Sequence, residues 1–141
     1  MDRKIYLMYN RNSWKLYNDM RDEVSDRFNL KRIEIDILAF LNNYPECDTA
    51  SDIVNFRFLA KSNVSQALEW LEAKDYLVTS KDAIDKRKIH IKLTSQANRV
   101  ISQIEKMQND YIEKVLTGFN EEERNQIEQY IIKMNHNCIN N

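Results

Sequence analysis

One glycine and one proline in 141 residues leave this chain almost nothing with which to interrupt a helix. Every strand of a many-stranded sandwich needs a turn, and turns draw on those two residues, so their scarcity predicts long helices. One stretch departs from helical spacing. Ile89, Ile91 and Leu93 alternate with Lys88, His90 and Lys92, and a period of two belongs to a half-buried strand. Tyr76 to Thr79 supplies an antiparallel partner, and the charged run Ser80 to Arg87 between them suits a hairpin with an extended loop. The fold class read from this pattern is α+β, mainly helical, with a single two-stranded hairpin.

Apolar spacing sets the other elements. From about Arg3 to Phe28, the residues Leu16, Met20, Val24 and Phe28 share one helical face, with Tyr17 beside them. A second helix starts near Lys31, turns Ile33, Ile37, Leu38 and Leu41 to one side, and stops near Asn43 ahead of Pro45. Thr49, with Asp52 three residues on, forms an approximate capping box for a short third helix that ends around Arg57 and turns Ile53 and Val54 inward. A fourth begins close to Ser62 and buries Val64, Leu68 and Leu71. After Thr94 the helical period returns through Val100, Ile104, Met107, Tyr111 and Val115, until Gly118 allows the left-handed turn that ends a helix. Asn120 with Glu123 caps a sixth helix, which has three glutamates in its first turn and the apolar stripe Ile127, Tyr130, Ile131, Met134 and Cys138.

At this length one domain spanning 1–141 is expected, because two cores would each lack apolar surface to bury. A content of 43% hydrophobic and 30% charged residues describes a folded chain rather than a disordered one. No apolar run approaches the roughly 20 residues that span a bilayer, and no N-terminal apolar segment suggests export. A cytoplasmic protein without a membrane partner is expected. Cys47 and Cys138 cannot build a disulfide framework, and no Cys/His cluster has metal-ligand spacing, so neither metal nor cofactor is expected. Cys47 lies between Glu46 and Asp48, whose charges oppose the thiolate that a redox sensor needs, and Cys138 reads as a small hydrophobe. There is no glycine-rich phosphate loop and no nucleophile elbow. Ser65 and His90, a strand residue expected to face solvent, do not make a catalytic pair. The expectation is a binding protein and not an enzyme.

A net charge of −1 excludes a surface that is basic all over, so the distribution of charge matters more than its sum. From Arg57 to Lys92 there are eight Lys/Arg against five Asp/Glu, whereas Glu105 to Glu128 carries three basic and seven acidic side chains. Any nucleic-acid surface is therefore a local patch in the middle of the chain. There, two short helices precede a hairpin with a basic loop, in the order helix, turn, helix, wing, in which the second helix can lie in the DNA major groove.

Within Thr49 to Leu93 the pattern becomes more specific. The run KSNVSQALEWLEAKDYL, Lys61 to Leu77, resembles the recognition helix of the MarR family of winged helix-turn-helix regulators. The run DKRKIHIKLT, Asp85 to Thr94, resembles that family's Asp-x-Arg wing and its strand ending in Leu-Thr. The long flanking helices resemble the family's dimerisation elements, so the likeness covers nearly the whole chain. Two positions depart from the family pattern. Asp75 stands where a glycine usually precedes the wing, and Ala97 replaces the common glycine after Leu-Thr. Aspartate tolerates positive φ, Ala97 should continue a helix, and neither residue touches the DNA surface.

The resemblance implies a winged-helix lobe over 31–94, dimerisation helices over 1–28 and 95–138, and a homodimer on a pseudo-palindromic site in double-stranded DNA. It further implies repression by occlusion of a promoter. Ser62, Asn63, Ser65 and Gln66 open the fourth helix away from its buried stripe, where amides suit adenine and hydroxyls suit phosphate oxygens. Lys61 can pair with a phosphate. By resemblance, Arg87 enters the minor groove, where A·T-rich sequence concentrates negative potential, with Asp85 orienting it and Lys86 and Lys88 clamping the backbone. The family likeness also implies a small aromatic effector between the dimerisation helices and the lobe. Trp14, Tyr17 and Trp70 are its candidate lining, with ordinary packing as their other use. A different reading, a winged helix serving only protein assembly, suits the acidic C-terminal helices but leaves the basic wing without a purpose.

Overall fold

The computed structural model describes residues 1–141. Its elements run α1 (Arg3–Phe28), α2 (Arg32–Asn43), α3 (Ala50–Arg57), α4 (Lys61–Ala73), β1 (Leu77–Lys81), β2 (Ile89–Leu93), α5 (Asn98–Val115) and α6 (Glu121–Ile139). A 3-10 turn at Ser95–Ala97, with Ala97 fully buried, leads into α5. This is the mainly helical α+β winged-helix architecture that the periodicity predicts. No helix is long and apolar enough to cross a membrane.

Local side-chain chemistry sets the boundaries. Asp2 accepts the Lys4 N–H to open α1, and Asn29 closes it at φ 51°, a left-handed position that asparagine tolerates. Thr49 and Asp52 exchange two bonds of 3.1 Å at the start of α3, and Asn120 and Glu123 do the same at 3.0 and 2.9 Å for α6. Both capping boxes thus satisfy helix-end N–H groups that would otherwise lack partners. Asp75 takes φ 60° in the turn after α4, the conformation for which the family prefers glycine. Its carbonyl accepts the Thr94 hydroxyl, tying the end of the hairpin back to that turn.

The core is built around α2. Ile35, Ile37, Leu38, Ala39, Phe40 and Leu41 are all buried, and a helix enclosed on every side is a central one. Ile53 of α3, Leu68 and Leu71 of α4, Leu77 and Ile91 of the hairpin, and Val100 and Ile104 of α5 close around it as one cluster. Side chains enclosed as fully as Ile37 and Leu71 contribute about 1.5–3 kcal/mol each. The buried carboxylate of Glu34 accepts the Lys31 N–H and the Lys74 ammonium, both at 2.9 Å, so its charge is paired rather than stranded. α1 packs along α5 and adds Val24 to the core.

Three expectations change. β1 covers Leu77–Lys81 rather than Tyr76–Thr79, pairing Leu77 with Leu93 through to Lys81 with Ile89. The connection is correspondingly tighter than an extended loop, because the Asp82 N–H bonds the Lys88 carbonyl at 3.0 Å and the Asp82 carboxylate accepts the Ile84 and Asp85 N–H groups. His90 does not simply face solvent. The Asp48 carbonyl accepts the Ile91 N–H at 2.7 Å, which brings the segment before α3 against β2 and covers part of the His90 ring. The apolar stripe of α6 buries nothing within the protomer, so Cys138 is exposed rather than packed.

Candidate nucleic-acid interface

Helix α4 turns Val64, Ala67, Leu68 and Leu71 inward, which leaves Lys61, Ser62, Asn63, Ser65 and Gln66 exposed on its opposite side. The N-cap residue Ala60 makes no side-chain cap, and the first turn holds no acidic residue. The positive end of the helix dipole therefore stays uncompensated on this surface, a setting that favours phosphate. The Gln66 amide donates to Glu69 Oε2 at 3.4 Å. Glu69 escaped the sequence reading although it lies three residues on, the spacing at which helical side chains meet.

The wing tip is a hydrogen-bonded turn. Arg87 is 93% exposed, yet its Nε donates to Asp85 Oδ1 at 3.2 Å and its backbone N–H reaches the same oxygen at 3.1 Å. The Asp85 carbonyl also accepts the Lys88 N–H at 2.9 Å. Lys86 and Lys88 flank the arginine and are exposed. A cleft of about 220 Å³ brings the two basic elements together, lined by Ser51 and Asn55 of α3, Lys61 and Ser65 of α4, and Arg87 and Ile89 of the wing. Ser51 and Asn55 were not singled out from sequence, though both are polar residues flanking the inward Ile53.

At the base of the wing, His90 is half-buried between two carboxylates. Its Nε2 lies 2.7 Å from Asp82 Oδ1 and its Nδ1 lies 3.1 Å from Asp48 Oδ2. The Asp85 N–H, the His90 ring and the Ile84 N–H, in that order, hold the Asp82 carboxyl well below the usual carboxylate range. Hydrogen bonds first to Asp82 and then to Asp48 raise the imidazole above its ordinary value, against the opposing effect of partial burial. Sequence gave no signal for this cluster, because its members come from three separate segments.

The aromatic candidates divide. Trp14 and Tyr17 line a cleft of about 280 Å³ with Asn10, Ser13, Arg57 and Tyr111, between α1, the end of α3 and α5. Tyr17 meets Tyr111 edge-on at 5.2 Å. The Arg57 guanidinium on this wall lies 3.4 Å from Asp36, whose carboxylate also takes Arg21 Nη1 at 3.0 Å, so the cleft borders an ion cluster joining α1 to the lobe. Trp70 stands apart from Trp14 and Tyr17, its ring covered by the Lys31 ammonium 3.2 Å from the centroid. At Cys47, partial burial first and then Glu46, Asp52 and Asp48 push the thiol up, away from the reactive thiolate.

Residues 28–88 match the MarR family. The chain is 26% identical over 122 residues to the HTH-type transcriptional regulator PecS of Dickeya dadantii, across 85% of this chain and 74% of that protein. Among solved structures it resembles a MarR transcriptional regulator from Methanosarcina mazei, with a TM-score of 0.83 at 14% identity over 99% of this chain and 93% of the other. A MarR family regulator from Listeria monocytogenes complexed with 26mer DNA superposes with a TM-score of 0.75 at 18% identity, over 96% of this chain and 86% of that one. The structural likenesses carry the fold over nearly the full length, while the family match falls on the helix-turn-helix and most of the wing. Over its helix-turn-helix and most of its wing the chain is similar to the MarR family of winged-helix transcriptional regulators, and its fold is shared with that family's solved structures over nearly the full length.

Proposed function

We propose that two copies of this chain bind a pseudo-palindromic duplex site as a homodimer and repress the promoter that contains it, each copy laying α4 in the major groove and its wing beside it. The observation that carries this reading is the cleft in which Lys61 and Ser65 of α4 meet Arg87 of the wing. A helix end and an arginine held in one frame can address neighbouring grooves in fixed register. Asn63 and Gln66 then offer amides to base edges, while Ser62, Ser65 and Lys61 take phosphate oxygens. Arg87 enters the minor groove, and Lys86 and Lys88 neutralise phosphates to either side.

The second copy answers a deficit in the first. α6 has 19 residues and none is buried, with Tyr130, Ile131, Ile132 and Met134 all exposed. A helix draws most of its stability from packing an apolar face, and beyond the half-buried Ile127 this face stands open within its own chain. Exposed Ile5, Leu7 and Met8 of α1 extend the apolar surface, and a cleft of about 580 Å³ lined by Tyr9, Ile127 and Ile131, among others, can receive side chains of a partner. A small aromatic effector would occupy the cleft of Trp14, Tyr17 and Tyr111. From there, Arg57 and Asp36 connect a ligand to the helix-turn-helix, so that binding favours one separation of the recognition helices over another.

The test is fluorescence anisotropy with labelled promoter duplexes from the chain's own genomic neighbourhood, at two salt concentrations, for wild type and Arg87→Ala. Saturable binding that weakens with salt, and roughly tenfold or more with Arg87→Ala, is expected. A folded dimer that binds none of these duplexes at either salt concentration contradicts the reading.

A further inference from the structure

We infer that His90 is a positioning residue for the wing, that it holds the wing as an imidazolium ion, and that loss of its proton lowers affinity for DNA. The inference rests on the DNA-binding reading above. Its geometric basis is that both ring nitrogens face carboxylate oxygens, Asp82 at 2.7 Å and Asp48 at 3.1 Å. A carboxylate only accepts hydrogen bonds, and a neutral imidazole has one N–H and one lone pair, so only the imidazolium satisfies both contacts. Asp82 is already committed as an anion by the Ile84 and Asp85 N–H groups at 3.0 and 2.9 Å. In neutral His90 a lone pair would oppose a carboxylate oxygen across one of these short contacts.

The clamp reaches Arg87 by a traceable route. Asp82 shapes the turn through its bond to the Asp85 N–H, and Asp85 in turn holds the Arg87 side chain and N–H. On its other side the ring grips Asp48, whose carbonyl pairs with the Ile91 N–H and whose neighbour Thr49 caps α3. His90 thus fastens the wing to the helix that precedes the recognition helix. The charged groups around it come from each neighbouring element. The wing loop brings Asp82 and Asp85. The segment before α3 brings Asp48, while Asp52 beyond it is engaged with Thr49. Strand alternation puts Lys88 and Lys92 on His90's side of the hairpin, and its partner across β1 is the uncharged Ser80.

The direction of the pH effect follows from the raised imidazole. Below histidine's ordinary value of about 6.5 the clamp is fully formed, and it is lost as pH rises through the higher value of the folded protein. DNA affinity should therefore be greatest on the mildly acid side and fall towards the alkaline side.

NMR of the histidine rings in DNA-free protein reads this directly, because His136 is the one other histidine. His90 should titrate above its ordinary value, and the Arg87 and Lys88 amide resonances should shift with the same midpoint. In parallel, anisotropy with a promoter duplex from roughly pH 6 to roughly pH 9 should show wild-type affinity falling about fivefold or more around that midpoint. His90→Gln, which cannot become charged, should bind weakly with a flat profile. Equal pH slopes in wild type and His90→Gln, or a His90 that titrates at or below its ordinary value, would overturn the inference. If the protein binds no duplex at any pH, the DNA-binding reading fails. The shared NMR midpoint would then still support the clamp, and its absence would refute it.

Discussion

From α2 to the wing, each helix has a buried face and α2 is enclosed on all sides, whereas the 19 residues of α6 pass without one buried side chain. The exposed surfaces differ just as sharply. Around α4 and the wing they are polar and cationic, with Lys61, Ser65 and Arg87 around one cleft. Along α6 an exposed apolar stripe that includes Tyr130, Ile131 and Met134 runs between polar side chains, behind a first turn of Glu121, Glu122 and Glu123. The contrast teaches that one protomer completes its lobe but not its ends. The lobe has a finished core and presents chemistry suited to phosphate, while the terminal helices present apolar surface suited to a second copy. Negative charge near α6 also makes that end a poor place for DNA, in keeping with the proposal that the lobe receives it.

One truncation applied in both regions separates them most clearly. Leu71→Ala, in the enclosed core, should cost about 2–5 kcal/mol in urea unfolding at every protein concentration. Ile131→Ala on the stripe of α6 should leave a dilute protomer unchanged and weaken self-association by about 2 kcal/mol, so its effect in the same melts depends on concentration. Equal, concentration-independent losses at both sites would erase the distinction between the regions.

Smaller effects divide the lobe's own surface. Asn63→Ala should cost about 1–3 kcal/mol of DNA binding and relax preference at one base position, whereas Lys61→Ala should weaken binding to all sequences alike and reduce the salt slope by about one. Competition assays with base-substituted duplexes at several salt concentrations distinguish the two. The smallest change is at the caps. Thr49→Ala and Asn120→Ala each remove a capping bond worth about 1 kcal/mol. Thr49→Ala should appear as lower lobe stability, while Asn120→Ala should appear mainly as fraying of α6, read by circular dichroism.

What the sequence made legible follows the same division. Caps and buried stripes depend on residues a few positions apart, so Thr49 with Asp52, Asn120 with Glu123, and the line Val64, Leu68, Leu71 could be read directly. The end of β1 could not, because the Asp82 carboxylate closes the loop so tightly that pairing runs on to Lys81, two residues past the expected end. The partners of His90 were illegible for another reason. Asp48 is 42 residues away and meets the ring only when the segment before α3 docks on β2. Trp14 and Trp70 looked alike as aromatic candidates, and only packing puts one beside Tyr17 and the other beneath Lys31. The stripe of α6 was visible as a pattern, but the surface proposed to cover it belongs to another molecule.

Sedimentation velocity of the wild-type protein, alone and with a labelled duplex from its own promoter region, tests this division between lobe and ends most directly. Two chains are expected in the free particle and two on one duplex, with Ile131→Glu yielding a folded single chain that binds the duplex far more weakly. A stable, folded single chain from wild type at micromolar concentration, or a dimer that leaves the duplex free, would contradict this expectation.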